Sequence, residues 1–204
     1  PYPIEKWGHN IAKTIHFKTE AERHVYADRN YFLGDPDFVD MPVNVLTSEN
    51  YYSYIRSLIS YEATPSREVA HISWDTVDSL RTYAEHEETT HYSVIDQEGN
   101  AVAVTTTLNG SYGAGYAIAE AGFLMNNEMD DFSAKPGVPN MYGLIGAEAN
   151  AVAPGKRMLS SMSPTIVARD GKPILITGSP GGATIITTTA QIIMNVIDYK
   201  MPIG

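Results

Sequence analysis

The opening of the chain is patterned on a helical period. Trp7, Ile11 and Ile15 recur four residues apart, and Ala21 and Val25 continue the same apolar face after a small drift, which predicts a helix. Asp28, Asn30 and the run Gly34-Asp35-Pro36-Asp37 end it with turn chemistry. A second helix is predicted to open near Ser48, whose hydroxyl suits an N-cap, and to bury Tyr52, Ile55, Leu58 and Ile59. From Glu62 to Glu88 the periodicity fades into polar, acidic text around Thr64-Pro65-Ser66. That stretch reads as a linker, with a short turn of helix around Trp74 to Leu80.

The period then becomes two. Tyr92, Val94 and the run Ala101 to Leu108 flank the turn-rich insert from Asp96 to Asn100, predicting a β-hairpin. A glycine-rich loop from Gly110 to Gly122 follows, where the backbone must approach something closely. A second hairpin is predicted from Pro164 to Ala168 and Ile174 to Thr177, turning at Arg169-Asp170-Gly171. It runs into Gly178-Ser179-Pro180-Gly181-Gly182 and a helix from about Ala183 to Tyr199. Helices, then antiparallel strands, then a helix define an α+β chain.

Composition narrows the functional classes. With 24 acidic against 14 basic residues in a chain of 204, the net charge is −10, and no basic stripe is present to neutralise the phosphates of a nucleic acid. Cysteine is absent, which excludes disulfides, thiol catalysis and cysteine-ligated zinc. No apolar run approaches the roughly 18 residues of a membrane span. The first residues, PYPIEKWGHN, do not form a signal peptide and read as the interior of a longer chain.

The candidate chemistry is correspondingly short. The 6 histidines include no His-Glu-x-x-His arrangement, and His16 and His24 read as helix packing or surface residues. Asp35, Asp37 and Asp40 lack EF-hand spacing and read as a turn with solvated acids. The Gly178 to Gly182 loop lacks the Lys-Ser/Thr ending of a P-loop and the third glycine of a dinucleotide fingerprint. There remains Thr89-Thr90, where the acidic stretch meets the first strand. Threonine begins strands commonly because it is β-branched. Alternatively, a threonine made N-terminal by cleavage carries its own base, an α-amine of pKa about 7.7–8.0. The residues alone leave both readings open.

A resemblance extends along nearly the whole chain outside the linker. Thr89-Thr90-His91-Tyr92-Ser93-Val94, with Asp96, Gly99-Asn100-Ala101-Val102 and Thr107-Leu108-Asn109, resembles the start of the small subunit of γ-glutamyltranspeptidases. The likeness continues through Asn126-Asn127-Glu128-Met129-Asp130-Asp131-Phe132-Ser133, Pro136-Gly137, Leu159-Ser160-Ser161-Met162-Ser163-Pro164 and Gly178-Ser179-Pro180-Gly181-Gly182. Upstream, Ala27-Asp28-Arg29 and Leu33-Gly34-Asp35-Pro36-Asp37-Phe38 resemble the end of the large subunit.

That resemblance implies a four-layer αββα sandwich of the N-terminal-nucleophile hydrolases, made as a zymogen that cuts itself between Glu88 and Thr89. Residues 1–88 would be the end of the large subunit, with the linker at about 62–88. Residues 89–204 would be the small-subunit part, and the two subunits pair after cleavage. Thr89 is implied as the nucleophile towards glutathione or another γ-glutamyl donor, with water or an amino acid or peptide as acceptor and no cofactor. Thr107 is implied to tune its amine. Asn109, Glu128, Asp131, Ser160 and Ser161 are implied to hold the donor's α-amino and α-carboxyl groups, and Tyr142 to sit in a lid. Gly181 and Gly182 are implied as oxyanion-hole donors, each commonly worth about 3 kcal/mol of barrier. A periplasmic or secreted location goes with the family. Ala183-Thr184 departs from the Ser-Arg pair common after the two glycines in bacterial members, and the arginine that pairs the substrate carboxylate has no counterpart here. The alternatives are an acylase or poly-γ-glutamate-processing enzyme on the same scaffold, or an inactive, uncleaved piece.

Overall fold

The computed structural model describes residues 2–69, 89–140 and 145–203. These divide into two compact units: 2–69 with 130–159, and 89–129 with 160–203. The architecture is mixed α+β, as the patterning predicts. Most of the predicted linker, including Trp74 to Leu80, lies outside the described residues, as do Glu88 and Tyr142.

The first unit is helical. α1 (Ile4–Trp7) is separated from α2 (Ala12–Phe32) by Gly8 and Asn10, whose φ of 107° and 52° stop a continuous helix. α3 (Val43–Leu46) precedes α4 (Glu49–Leu58), which is capped as predicted: Ser48 Oγ accepts the N–H of Tyr51 at 3.2 Å.

The buried face of α2 differs from the one the apolar spacing predicts. Ile11, Ile15 and Val25 are exposed, whereas Thr14, Phe17, Glu20, His24, Ala27 and Asp28 are buried. An aromatic cluster and dedicated polar partners set this rotation. Phe17 packs against Tyr2, Trp7 and Tyr61 with ring centroids 4.8, 5.1 and 5.3 Å away. Glu20 accepts from Arg23 Nη1 at 2.6 Å and from the Thr64 N–H at 3.0 Å. Burial works against its charge, but the bonds from Thr64 and Arg23 prevail and hold the carboxyl below its usual range. Asp28 accepts from the Tyr51 hydroxyl at 2.7 Å; burial, and then that bond, push the phenol well up. On α4 only Ile55 is buried; Tyr52 and Leu58 are exposed.

Asp35 also departs from expectation. Far from being solvated, it is 2% exposed and accepts from the backbone N–H, Nε and Nη2 of Arg157 at 2.8, 3.1 and 2.6 Å. Nη2 of Arg157 also reaches Asp37 at 2.6 Å. These bonds hold the Asp35 carboxyl far below the usual carboxylate range.

The second unit carries three antiparallel hairpins and a helix. β1 (Thr90–Ile95) pairs with β2 (Ala101–Thr106) in the register Thr90↔Thr106, His91↔Thr105, Ile95↔Ala101. Asp96 closes the turn, its carboxylate accepting the Asn100 N–H at 2.8 Å and Nδ2 at 2.6 Å. The glycine-rich loop folds into a short hairpin of β3 (Ala117–Ile118) and β4 (Phe123–Leu124). β5 (Thr165–Arg169) and β6 (Lys172–Thr177) meet at Asp170-Gly171, whose φ of 50° and 75° make the two-residue turn that matches strand twist. α5 (Ile185–Ile197) follows and packs on β6, burying Ile185 and Thr189.

Candidate active site

The hairpin register determines what stands near Thr89. Thr90 is paired with Thr106, so one step further along each strand brings Thr89 opposite Thr107. Both line an open cleft of about 270 Å³ whose walls include Thr90, Thr106, Leu108, Gly110 and Ser111. A cleft walled so largely by hydroxyls and backbone suits a polar substrate.

The loop beyond Thr107 turns sharply. Asn109 is buried and adopts φ 74°, a left-handed conformation that asparagine tolerates better than most residues. The Thr107 hydroxyl oxygen accepts the Asn109 N–H at 2.9 Å, and Asn109 Nδ2 donates to the Asn127 carbonyl at 3.3 Å. Asn127 in turn accepts the Gly110 N–H on Oδ1 at 2.9 Å and donates its own N–H to the Leu108 carbonyl at 3.0 Å. These reciprocal bonds bind the segment after β2 to the one carrying Glu128.

Glu128 opens the 3-10 turn Glu128–Asp131, and its N–H donates to Asn126 Oδ1 at 3.1 Å. Burial raises the pKa of its carboxyl. Asp131 falls in the other unit. There its carbonyl accepts from Asn150 Nδ2 at 2.8 Å, and its charge acts on the partly buried Arg29.

Ser160 and Ser161 lie in the extended approach to β5. Ser160 Oγ accepts the Met162 N–H at 3.1 Å, and the Ser161 carbonyl accepts from Ser163 Oγ at 2.9 Å. After β6, Gly181 (φ 131°) and Gly182 (φ 48°) hold a backbone that a side chain would strain. No acceptor among the described residues takes the N–H of either glycine. Thr184 stabilises this corner, donating through both its N–H and its hydroxyl to the Gly181 carbonyl at 2.8 Å.

Thr89, Thr107, Asn109, Glu128, Ser160, Ser161, Gly181 and Gly182 thus belong to one unit, with Thr89 and Thr107 on one cleft. His91, Ser93 and Thr105, to which neither pattern nor resemblance assigns a role, meet on this hairpin. His91 Nδ1 lies 2.8 Å from Thr105 Oγ1 and Nε2 lies 3.0 Å from Ser93 Oγ. The signal was present in the hairpin, since strand alternation puts His91 on the face of Thr89 and pairing puts it opposite Thr105.

The gamma-glutamyltranspeptidase family model matches residues 1–204. A glutathione hydrolase proenzyme of Escherichia coli strain K12 is 52% identical over 204 residues, covering 100% of this chain and 34% of that protein. A crystal structure of a Helicobacter pylori gamma-glutamyltranspeptidase mutant matches 56% of this chain and 62% of its own, with 63% identity and a TM-score of 0.55. Gamma-glutamyltranspeptidase from Pseudomonas nitroreducens complexed with L-DON matches 55% of this chain and 58% of its own, with 56% identity and a TM-score of 0.54. The chain belongs to the gamma-glutamyltranspeptidase family. It spans about a third of the length of the curated relatives it matches. No helix among the described residues is long and apolar enough to cross a membrane.

Proposed function

We propose that this chain carries the nucleophile of a self-processing γ-glutamyltransferase and hydrolase, and that Thr89 is that nucleophile. The observation that carries the reading is the cleft shared by Thr89 and Thr107 at the open end of the β1–β2 hairpin.

Two reactions use the same hydroxyl. In the precursor, Thr89 Oγ attacks the Glu88 carbonyl carbon. The bond to the Thr89 nitrogen breaks, the nitrogen takes a proton, and the resulting ester is hydrolysed by water. The products are a Glu88 carboxylate and a free α-amine on Thr89. That amine then accepts the hydroxyl proton while Oγ attacks the γ-carbonyl of the donor. The N–H groups of Gly181 and Gly182 hold the developing oxyanion. The C–N bond breaks, the departing amine takes the proton back, and a γ-glutamyl ester remains on Thr89. Water gives hydrolysis; an amino acid or peptide amine gives transfer. Thr107 tunes the Thr89 amine.

Glu128 and Asp131 suit the ammonium of an amino-acid-like donor, since a charge-assisted bond is roughly twice as strong as a neutral one. Asn109, Ser160 and Ser161 suit its carboxylate, and Tyr142 belongs to the covering loop. The half-buried Glu128 favours this donor over the apolar acyl group of an acylase, which would leave the carboxylate without a cation. Residues 1–88 and 89–204 become the large-subunit end and the small-subunit part, paired after the cut. The exposed Tyr92, Val94 and Val102 lie on the face of the β1–β2 hairpin opposite Thr89, as expected of a sheet covered by another layer of an αββα sandwich. A periplasmic or secreted location goes with the same reading.

The test is turnover of a γ-glutamyl anilide by the full-length protein. Release of the anilide that disappears in Thr89→Ala supports the reading. Activity that survives Thr89→Ala, or that prefers apolar acyl amides, opposes it.

A further inference from the structure

The face of the hairpin that carries Thr89 holds a row of polar side chains. Alternation puts Thr89, His91 and Ser93 on one side of the strand, and the register puts Thr107 and Thr105 opposite the first two. His91 is bonded at both ring nitrogens, to Thr105 Oγ1 at 2.8 Å and Ser93 Oγ at 3.0 Å. Ser93 Oγ also donates to the Ile176 carbonyl on β6 at 3.2 Å. A hydroxyl has one proton, so the Ser93 proton committed to Ile176 leaves its oxygen as an acceptor for His91. Nε2 of His91 therefore carries a proton. In the neutral ring Nδ1 then accepts from Thr105, and a single directed chain runs from Thr105 through His91 and Ser93 to Ile176.

The ring also touches the second half of the site. A Cβ placed on Gly178 would lie 2.4 Å from Cε1 and Nδ1 of His91, so the absence of a side chain there is what admits the ring. Gly178 begins the segment that runs through Ser179 and Pro180 to Gly181 and Gly182. The imidazole is thus held by the two strands that flank Thr89 and Thr107, and it braces the start of the glycine loop.

We propose that His91 is a positioning residue, which fixes the Gly178–Gly182 loop against the strand end that presents Thr89. The proposal rests on the functional reading above, because positioning has consequences only if Thr89 and the two glycines share a reaction. Misplacement of about 1 Å can cost about 100-fold in rate, so loss of the brace is expected to lower kcat by about 10- to 100-fold with little change in KM.

A double-mutant cycle on the full-length protein tests the contact. His91→Ala, Gly178→Ala and the pair are compared for kcat and KM on a γ-glutamyl anilide, with kcat normalised to the fraction of cleaved chain measured by intact mass. Each single change is expected to lower kcat. The pair is expected to be no worse than His91→Ala alone, because removing the ring makes room for the new methyl. Thr105→Val, which removes a hydroxyl at constant shape, is expected to lose several-fold in kcat with the melting temperature nearly unchanged. Losses that multiply in the double mutant, or that appear in KM, would overturn the proposal while leaving the functional reading intact. Absence of γ-glutamyl turnover in the unmutated protein would overturn both.

Discussion

Thr107 and Asn109 form the hinge of the site: the Thr107 hydroxyl oxygen accepts the Asn109 N–H at 2.9 Å and holds Asn109 at φ 74°. The bond occupies one acceptor position of a hydroxyl to which the proposed function also assigns the tuning of the Thr89 amine. Under the proposed function, one side chain would join the shape of the loop to the basicity of the Thr89 amine.

Thr107→Val tests that double role. The substitution keeps the β-branched shape but removes the hydroxyl, and with it the acceptor of the Asn109 N–H. The expected result is a loss of about 100-fold in kcat, within the usual range for a group that assists proton transfer, together with slower self-cleavage. Single-turnover acylation and the time course of chain cleavage measure the two effects.

Glu128 yields a prediction with opposite signs for stability and function. Burial raises its pKa, so under the proposed function its bond to a donor ammonium would be lost on acidification at a higher pH than for an ordinary glutamate. The acid limb of kcat/KM is expected to move or disappear in Glu128→Gln, with KM rising about tenfold or more for a lost charge-assisted bond. The raised folded-state pKa also means that the free protein loses stability as pH rises through that value. Glu128→Gln is therefore expected to melt slightly higher than the parent at neutral pH while binding donor less well.

Asp35 behaves in the reverse sense. Its carboxyl is held far below the ordinary range by Arg157, so its contribution to stability is complete above the unfolded carboxylate pKa of about 3.9 and fades as pH falls towards the folded value. Asp35→Asn is expected to be destabilised at neutral pH, and its deficit relative to the parent is expected to shrink below about pH 4. Urea midpoints measured across that range would reveal the convergence.

Gly34 offers a purely steric test. A Cβ there would lie 2.2 Å from the Ala149 carbonyl oxygen, which backbone alone supplies and which cannot swing aside. Gly34→Ala is expected to cost about 1–3 kcal/mol, the usual penalty for forcing atoms into a filled site, as read from chemical denaturation.

The hairpins were legible because their information is local. Asp96 with Asn100, and Asp170 with Gly171, carry turn chemistry within a few residues, and the resulting register places Thr89 across from Thr107. The buried face of α2 was not legible. Glu20 depends on Thr64 and Asp28 on Tyr51, partners far along the chain that convert polar residues into interior ones. Asp35 was misjudged for the same reason, since Arg157 lies 122 residues away. At the candidate site, the resemblance names the threonine pair and the glycine corner, and the hairpin register brings the two threonines to one cleft. The approach of His91 to Gly178 needs β1 and β6 side by side, which no spacing in the sequence expresses.

The central claim is that the chain is cut to expose Thr89, and the most direct measurement is the intact mass of the full-length protein after incubation near neutral pH. The account predicts two fragments that meet between Glu88 and Thr89, and a single uncut mass for Thr89→Ala. One uncut mass for the unmutated protein under all conditions, or a cut that persists in Thr89→Ala, would contradict it.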